Sequence, residues 1–214
     1  LDKVGKLRVG VMDDYPPFEY SVSGQPRGYS VEHIRLLARK LGVELQFING
    51  YRFPELVEQL KSGKIDMLLG LMKNEEREQF CVFANGHYDT RIIATMRQGE
   101  AQGQQRLSDF KELRIAAQKG YAVTKFLKAR MGNAHFIEYN DTLDALKGLN
   151  RGEVDVVFDD EVVINYIQAY FYIEGLEKVT QISELKSQSD FNFHHTVRKD
   201  LAPLMTFINR AINE

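Results

Sequence analysis

The run Val31-Glu-His-Ile-Arg-Leu-Leu-Ala-Arg-Lys-Leu41, closed by Gly42 and followed by Glu44-Leu-Gln-Phe-Ile48, decides the fold class. Apolar residues at 31, 34, 37, 38 and 41 form one stripe of helical period, and a glycine just past the stripe suits a left-handed C-cap. A strand-forming run then begins almost at once. Leu7 to Met12 reads as an earlier strand, Pro54 to Lys61 as a second helix and Asp66 to Leu71 as a third strand. Strands and packing helices therefore alternate, which is the pattern of a parallel α/β sheet.

Further along, the pattern restarts. Arg114 to Ala117, His135 to Tyr139 and Val154 to Phe158 read as strands; Ala122 to Met131, Leu143 to Asn150 and Glu161 to Ala169 read as helices. The duplication is one of architecture, without a sequence repeat. The expected fold is α/β with two lobes, residues 1–92 plus 196–214 forming the first and 93–195 the second. Arg91 to Arg97 and Phe191 to Arg198 are the expected crossings between lobes, and a helix over Leu201 to Ile212 returns to lobe one. Two strands joining two lobes make a hinge, and open α/β sheets bind ligands beyond the carboxyl ends of their strands. An interlobe cleft is thus the expected site.

Composition narrows the function. A chain of 214 residues, 43% hydrophobic and 27% charged, is ordinary for a soluble globular protein. Its 28 basic and 30 acidic side chains give a net charge of -2 without long single-sign runs, which supplies no attraction for nucleic acid or an anionic membrane. A small-molecule partner and a monomeric domain are expected. Cys81, the only cysteine, excludes a disulfide framework and reads as a small buried hydrophobe. The chain starts at Leu1 without a signal-type apolar run or a spanning segment, so it reads as a mature or excised domain. Histidines 33, 87, 135, 194 and 195 lack zinc-motif spacing, and no Gly-x-Ser-x-Gly elbow occurs. Neither a metal, nor a cofactor, nor catalysis is expected.

Four stretches could carry binding chemistry. Asp13-Asp14-Tyr15-Pro16-Pro17-Phe18-Glu19-Tyr20 is a turn stiffened by two prolines, whose Tyr15 and Phe18 either wall a ligand slot or cover the edge of the core. In Lys73-Asn74-Glu75-Glu76-Arg77, Asn74 resembles an N-cap. A cation at that helix start is disfavoured by the dipole, so Arg77 either holds a bound anion or pairs with Glu75 or Glu76 in solvent. Around Gly120 a strand turns into a helix and presents backbone N–H groups to an anion, or is a plain β-to-α turn. Val156-Val-Phe-Asp-Asp-Glu161 places three carboxylates together; one would cap the next helix, and another would accept from an ammonium group.

The stretches Leu7-Arg-Val-Gly-Val11, Tyr15-Pro-Pro-Phe18, Gly28-Tyr-Ser-Val31, Leu60-Lys-Ser-Gly-Lys-Ile-Asp66, Glu76-Arg77, Gly152-Glu-Val-Asp155 and Val197-Arg-Lys-Asp200 occur in an order and spacing that are specific together. In them the chain resembles bacterial family 3 extracellular solute-binding proteins, the polar-amino-acid-binding type with a periplasmic binding protein-like (type II) fold. The resemblance implies that Tyr15, Phe18 and Phe53 surround a ligand side chain, that Arg77 clamps an α-carboxylate, and that Asp160, five residues after Asp155, receives an α-ammonium. It adds Gly70, Met72, Asn74, Gly120, Tyr121 and Ala122 to the ligand-contacting set. Where the family favours hydroxyl residues this chain has Met72, Asn74, Tyr121 and Ala122, so hydrogen bonds expected around the carboxylate are missing.

The implied role is capture of an amino-acid-like solute outside the cytoplasm, at the periplasmic or extracellular face of the membrane. The partner is then the permease of an ABC importer or, if the domain is a sensor input, the transmembrane module of a kinase or cyclase. A remote enzymatic alternative resembles cyclohexadienyl dehydratase, with Glu19 or Glu161 as the acid.

Overall fold

A computed structural model describes residues 5–185 and 191–214. The chain forms two compact units, one ending at Asp89 and resuming over Asn192–Glu214, the other spanning Thr90–Phe191. These limits fall a few residues ahead of those expected at 92/93 and 195/196.

With strands and helices numbered in chain order, the first unit contains β1 (Lys6–Gly10), β2 (Asp14–Tyr15), β3 (Glu19–Val22), β4 (Gln25–Arg27), α1 (Tyr29–Leu41), β5 (Glu44–Ile48), α2 (Phe53–Lys61), β6 (Met67–Met72), the single turn α3 (Glu75–Glu78), β7 (Cys81–Tyr88), β13 (Phe193–Arg198) and α7 (Leu204–Asn213). Its main sheet has the order β5-β1-β6-β13-β7. The first three strands are parallel, as expected, but β13 runs antiparallel to both β6 and β7. The reason is connectivity: β13 arrives from the other unit, so no crossover helix obliges it to run parallel. The predicted stripe of α1 is buried at Val31, Ile34, Leu37 and Ala38, and packs with Leu7, Val9, Met67, Leu69 and Ile208 in one core. Gly42 adopts φ 66, and the C-cap N–H groups return to the carbonyls of Ala38 and Arg39, as the C-cap reading requires.

The second unit contains β8 (Ile92–Arg97), β9 (Arg114–Gln118), α4 (Ala122–Met131), β10 (His135–Tyr139), α5 (Thr142–Asn150), β11 (Val157–Asp160), α6 (Glu161–Tyr170) and β12 (Leu176–Val179). β9 and β10 are parallel, β11 and β12 flank β8 antiparallel, and an Ile115–Val156 bridge ties the two sets. Phe110 and Phe158 pack edge to face at 5.2 Å in its core. The two segments expected to cross between lobes are therefore strands belonging to one unit each, β8 and β13, and the chain passes just ahead of them. Thr90 Oγ1 donates to the Phe191 carbonyl at 2.6 Å, tying the two passages together at the second unit.

One device recurs in both units. Asp66 accepts from Arg8 N at 2.9 Å, Arg8 Nε at 2.9 Å and Arg8 Nη2 at 2.6 Å, and pairs with Arg198 at 3.1 Å. Asp155 accepts from Arg114 N at 2.8 Å, Nε at 3.0 Å and Nη2 at 2.7 Å, and from Arg97 Nη2 at 3.0 Å. In each unit an aspartate before a strand binds the backbone N–H and guanidinium of an arginine on its parallel neighbour, and a second arginine from the strand that follows a passage. β11 starts at Val157, later than the expected Val154, and pairs with β8 through Asp159 and Asp160.

Candidate functional site

In the first unit the turns beyond the carboxyl ends of β1, β5 and β6 carry the expected residues. After β1, the Tyr15-to-Phe18 turn is fastened to the start of α1: Tyr29 N donates to Pro17 O and Ser30 N to Phe18 O, each at 3.0 Å. That approach requires Gly28, which adopts φ +115 and where a Cβ would stand 2.3 Å from the Phe18 carbonyl oxygen. Tyr15 and Phe18 are buried, with ring centroids 6.2 Å apart. Phe18 also packs edge-on to Tyr88 at 4.6 Å and Phe193 at 4.8 Å, and to Tyr29 at 6.0 Å. Tyr29, Tyr88 and Phe193 were not among the expected site residues, and only pairing of β13 with β6 and β7 brings Phe193 and Tyr88 here.

After β6, Asn74 accepts from Arg77 N at 2.9 Å and caps α3, as expected. Because α3 has a single turn, the dipole argument for Arg77 has little force. Arg77 is 4% exposed, which removes the reading of a solvated arginine. Its Nη1 donates to Met72 O at 2.6 Å, and its guanidinium lies 5.2 Å from the Phe53 ring centroid, a cation–π contact from the first residue of α2. Burial pulls the Arg77 pKa down to about 10, so the cation persists at neutral pH in a poorly solvating site. Met72, whose side chain offers no hydrogen-bond donor, supplies its backbone carbonyl. Gly70 adopts φ +52, and a Cβ there would sit 3.0 Å from Glu19 Oε1 and 3.2 Å from Ser30 Oγ. β13 joins the two halves, since Phe193 pairs with Met72 and packs 6.1 Å from Tyr15. Cys81 is buried and donates from Sγ to the Arg77 carbonyl at 3.2 Å, its thiol pushed up to about 12 by burial.

Asp13 and Asp14 have work within the fold. Asp13 accepts from Ser21, from Asn49 Nδ2 at 3.0 Å and from Gly50 N at 2.7 Å, and Asp14 pairs with Arg52 at 3.1 Å. Glu19 is buried, accepts from Met12 N at 3.0 Å, and is pushed up to about 8 by burial.

In the second unit, Gly120 with φ 79 turns β9 into α4. Tyr121 is the N-cap of α4 and offers no side-chain acceptor to the helix, while Tyr121 and Ala122 are both buried. Of the carboxylates at the end of β11, expected to give one cap for the next helix and one acceptor for an ammonium group, each has a partner within the fold. Asp159 accepts from Thr142 Oγ1 and from Asp160 N. Asp160, fully buried, accepts from Arg91 N at 3.0 Å and caps α6 through Val162 N at 2.9 Å and Val163 N at 3.4 Å. Glu161 pairs with Arg91 at 3.0 Å. Burial raises the Asp160 pKa despite these donors.

His33, His87 and His195, which lack zinc-motif spacing along the chain, converge from α1, β7 and β13, with one donor atom of each within 4.8 Å of the others. Motif spacing along the chain could not show this, because the three belong to separate elements.

The model of the bacterial extracellular solute-binding proteins, family 3, matches residues 7–214. The chain is 25% identical over 209 residues, 97% of its length and 78% of the relative's, to a probable histidine-binding protein of Campylobacter jejuni subsp. jejuni serotype O:2. In three other curated relatives the matched stretch covers 64%, 44% and 13% of their length. Among solved structures, a histidine kinase sensor domain with similarity to periplasmic binding proteins superposes with TM-score 0.88 at 25% identity, covering 100% of this chain and 91% of that one. Holo ArgBP from T. maritima superposes with TM-score 0.85 at 26% identity, covering 100% and 92%. Among the described residues no helix is long and apolar enough to cross a membrane.

Proposed function

We propose, from the premise that the chain belongs to the bacterial extracellular solute-binding proteins of family 3, that it captures an amino-acid-like solute without transforming it. The observation that carries this reading is the buried Arg77 guanidinium, held by the Met72 carbonyl and the Phe53 ring at the carboxyl end of β6. A solute carboxylate there would offset the desolvation that lowers the arginine's pKa. Tyr15 and Phe18 wall the side chain, the Gly120 turn and the start of α4 assist the carboxylate, and Asp160 receives the ammonium on the second unit. Closure about the two passages then follows from a ligand that binds both units.

The domain serves in this reading outside the cytoplasm as the binding component of an ABC importer. A second reading, input domain of a membrane-spanning sensor kinase, is favoured by the likeness to the histidine kinase sensor domain and uses the same residues. A thermal-shift screen over amino acids and small carboxylates tests the binding role: a ligand at 100 times its Kd raises stability by about 2.7 kcal/mol. Failure of every α-amino acid to shift the melting temperature would refute capture.

A further inference from the structure

We infer that His33, His87 and His195 form a binding site for a divalent transition-metal ion of the zinc class, separate from the proposed solute site. His33 stands on α1, His87 near the end of β7 and His195 within β13. His33 Nδ1 and His195 Nε2 are 2.9 Å apart, and the rings lie 4.8 Å (His33–His87), 5.0 Å (His33–His195) and 4.1 Å (His87–His195) from one another. Zn–N bonds of about 2.0–2.1 Å in a tetrahedral site put donor nitrogens about 3.3 Å apart. The donor atoms all lie within 4.8 Å of one another, and the 2.9 Å His33–His195 contact is a hydrogen bond that coordination would replace.

The surroundings favour an ion over packing alone. Both ring nitrogens of His87 and Nδ1 of His195 are buried and make no hydrogen bond within the protein. Whichever tautomer His87 adopts, its lone pair lacks a protein donor, a cost that coordination removes. An all-imidazole donor set selects zinc, copper or nickel over magnesium or calcium. His33 and His87 also line an open pocket of about 490 Å³ with Tyr29, Tyr88 and Asp89, which gives the ion a route in and leaves a fourth position for water or a small ligand. His194 turns its Nδ1 to the Ala84 carbonyl at 2.9 Å and is not a ligand. A bound ion would pin α1 to β7 and β13, the strands through which the chain leaves and re-enters this unit.

Titration calorimetry of untagged, chelator-stripped protein with zinc sulfate, with melting curves in parallel, tests this. The expected result is one ion per chain, a melting temperature raised by zinc and lowered again by chelator, and visible absorption bands of tetrahedral cobalt on substitution. His87→Ala should lose at least tenfold in zinc affinity while His194→Ala and Arg77→Ala retain it. Should His87→Ala melt too low to use, His33→Gln takes its place. Absence of saturable zinc binding, or unchanged affinity in the His87 or His33 variant, would overturn the site, and neither result bears on solute capture.

Discussion

Glu19 and Gly28 show how single residues set the first unit's site. Burial pushes Glu19 to about 8, so the native state keeps its proton up to that pH, whereas the unfolded chain releases it near 4.5. Between those values the native state binds more protons, and stability falls as pH rises. Glu19→Gln preserves the acceptor for Met12 N–H and should flatten that decline in urea midpoints measured between pH 6 and pH 8; an equal decline in the variant would refute a titrating Glu19. Gly28→Ala drives a methyl into the Phe18 carbonyl at an unfavourable φ. It should cost about 2 kcal/mol in denaturant unfolding and weaken solute binding in titration, because the turn carrying Tyr15 and Phe18 must move; wild-type values for both would contradict the fastening described.

At the scale of elements, the two arginine–aspartate–arginine locks account for motifs whose purpose the sequence leaves open. Lys64-Ile-Asp66 and Glu153-Val-Asp155 support the resemblance to the family, yet their aspartates bind arginines of neighbouring strands and no ligand role is needed for them. Asp66→Asn keeps the shape and loses the charge. It should lower unfolding free energy in urea by about 1–2 kcal/mol, at the low end for charged hydrogen bonds because Arg8 is partly exposed. An unchanged unfolding free energy would mean the lock is idle. Helices and parallel strands were legible because period and capping are local: Glu44–Ile48, Ala122–Met131 and His135–Tyr139 have their expected bounds. The small hairpin β2–β4 and strands β7 and β12 were not, since their pairing depends on residues distant in sequence. The same limit hid the histidine trio and the role of Phe193, while Arg77 and the capping Asn74 were legible from the turn after β6.

For the whole molecule, the proposal assigns a carboxylate anchor to Arg77 in one unit and an ammonium anchor to Asp160 in the other. Family membership sets the general role, and the departures at Met72, Asn74, Tyr121 and Ala122 bear on which solute is held. Asp160 also caps α6, so its variant needs a stability control that Arg77 variants share. Titration calorimetry of the solute found by screening, on wild-type, Arg77→Ala and Asp160→Asn proteins shown folded by melting, is the most direct measurement. Truncating one partner of a buried charge pair costs about 3–5 kcal/mol, so each variant should bind at least a hundredfold more weakly; near-wild-type affinity in either would contradict capture by charges from both units.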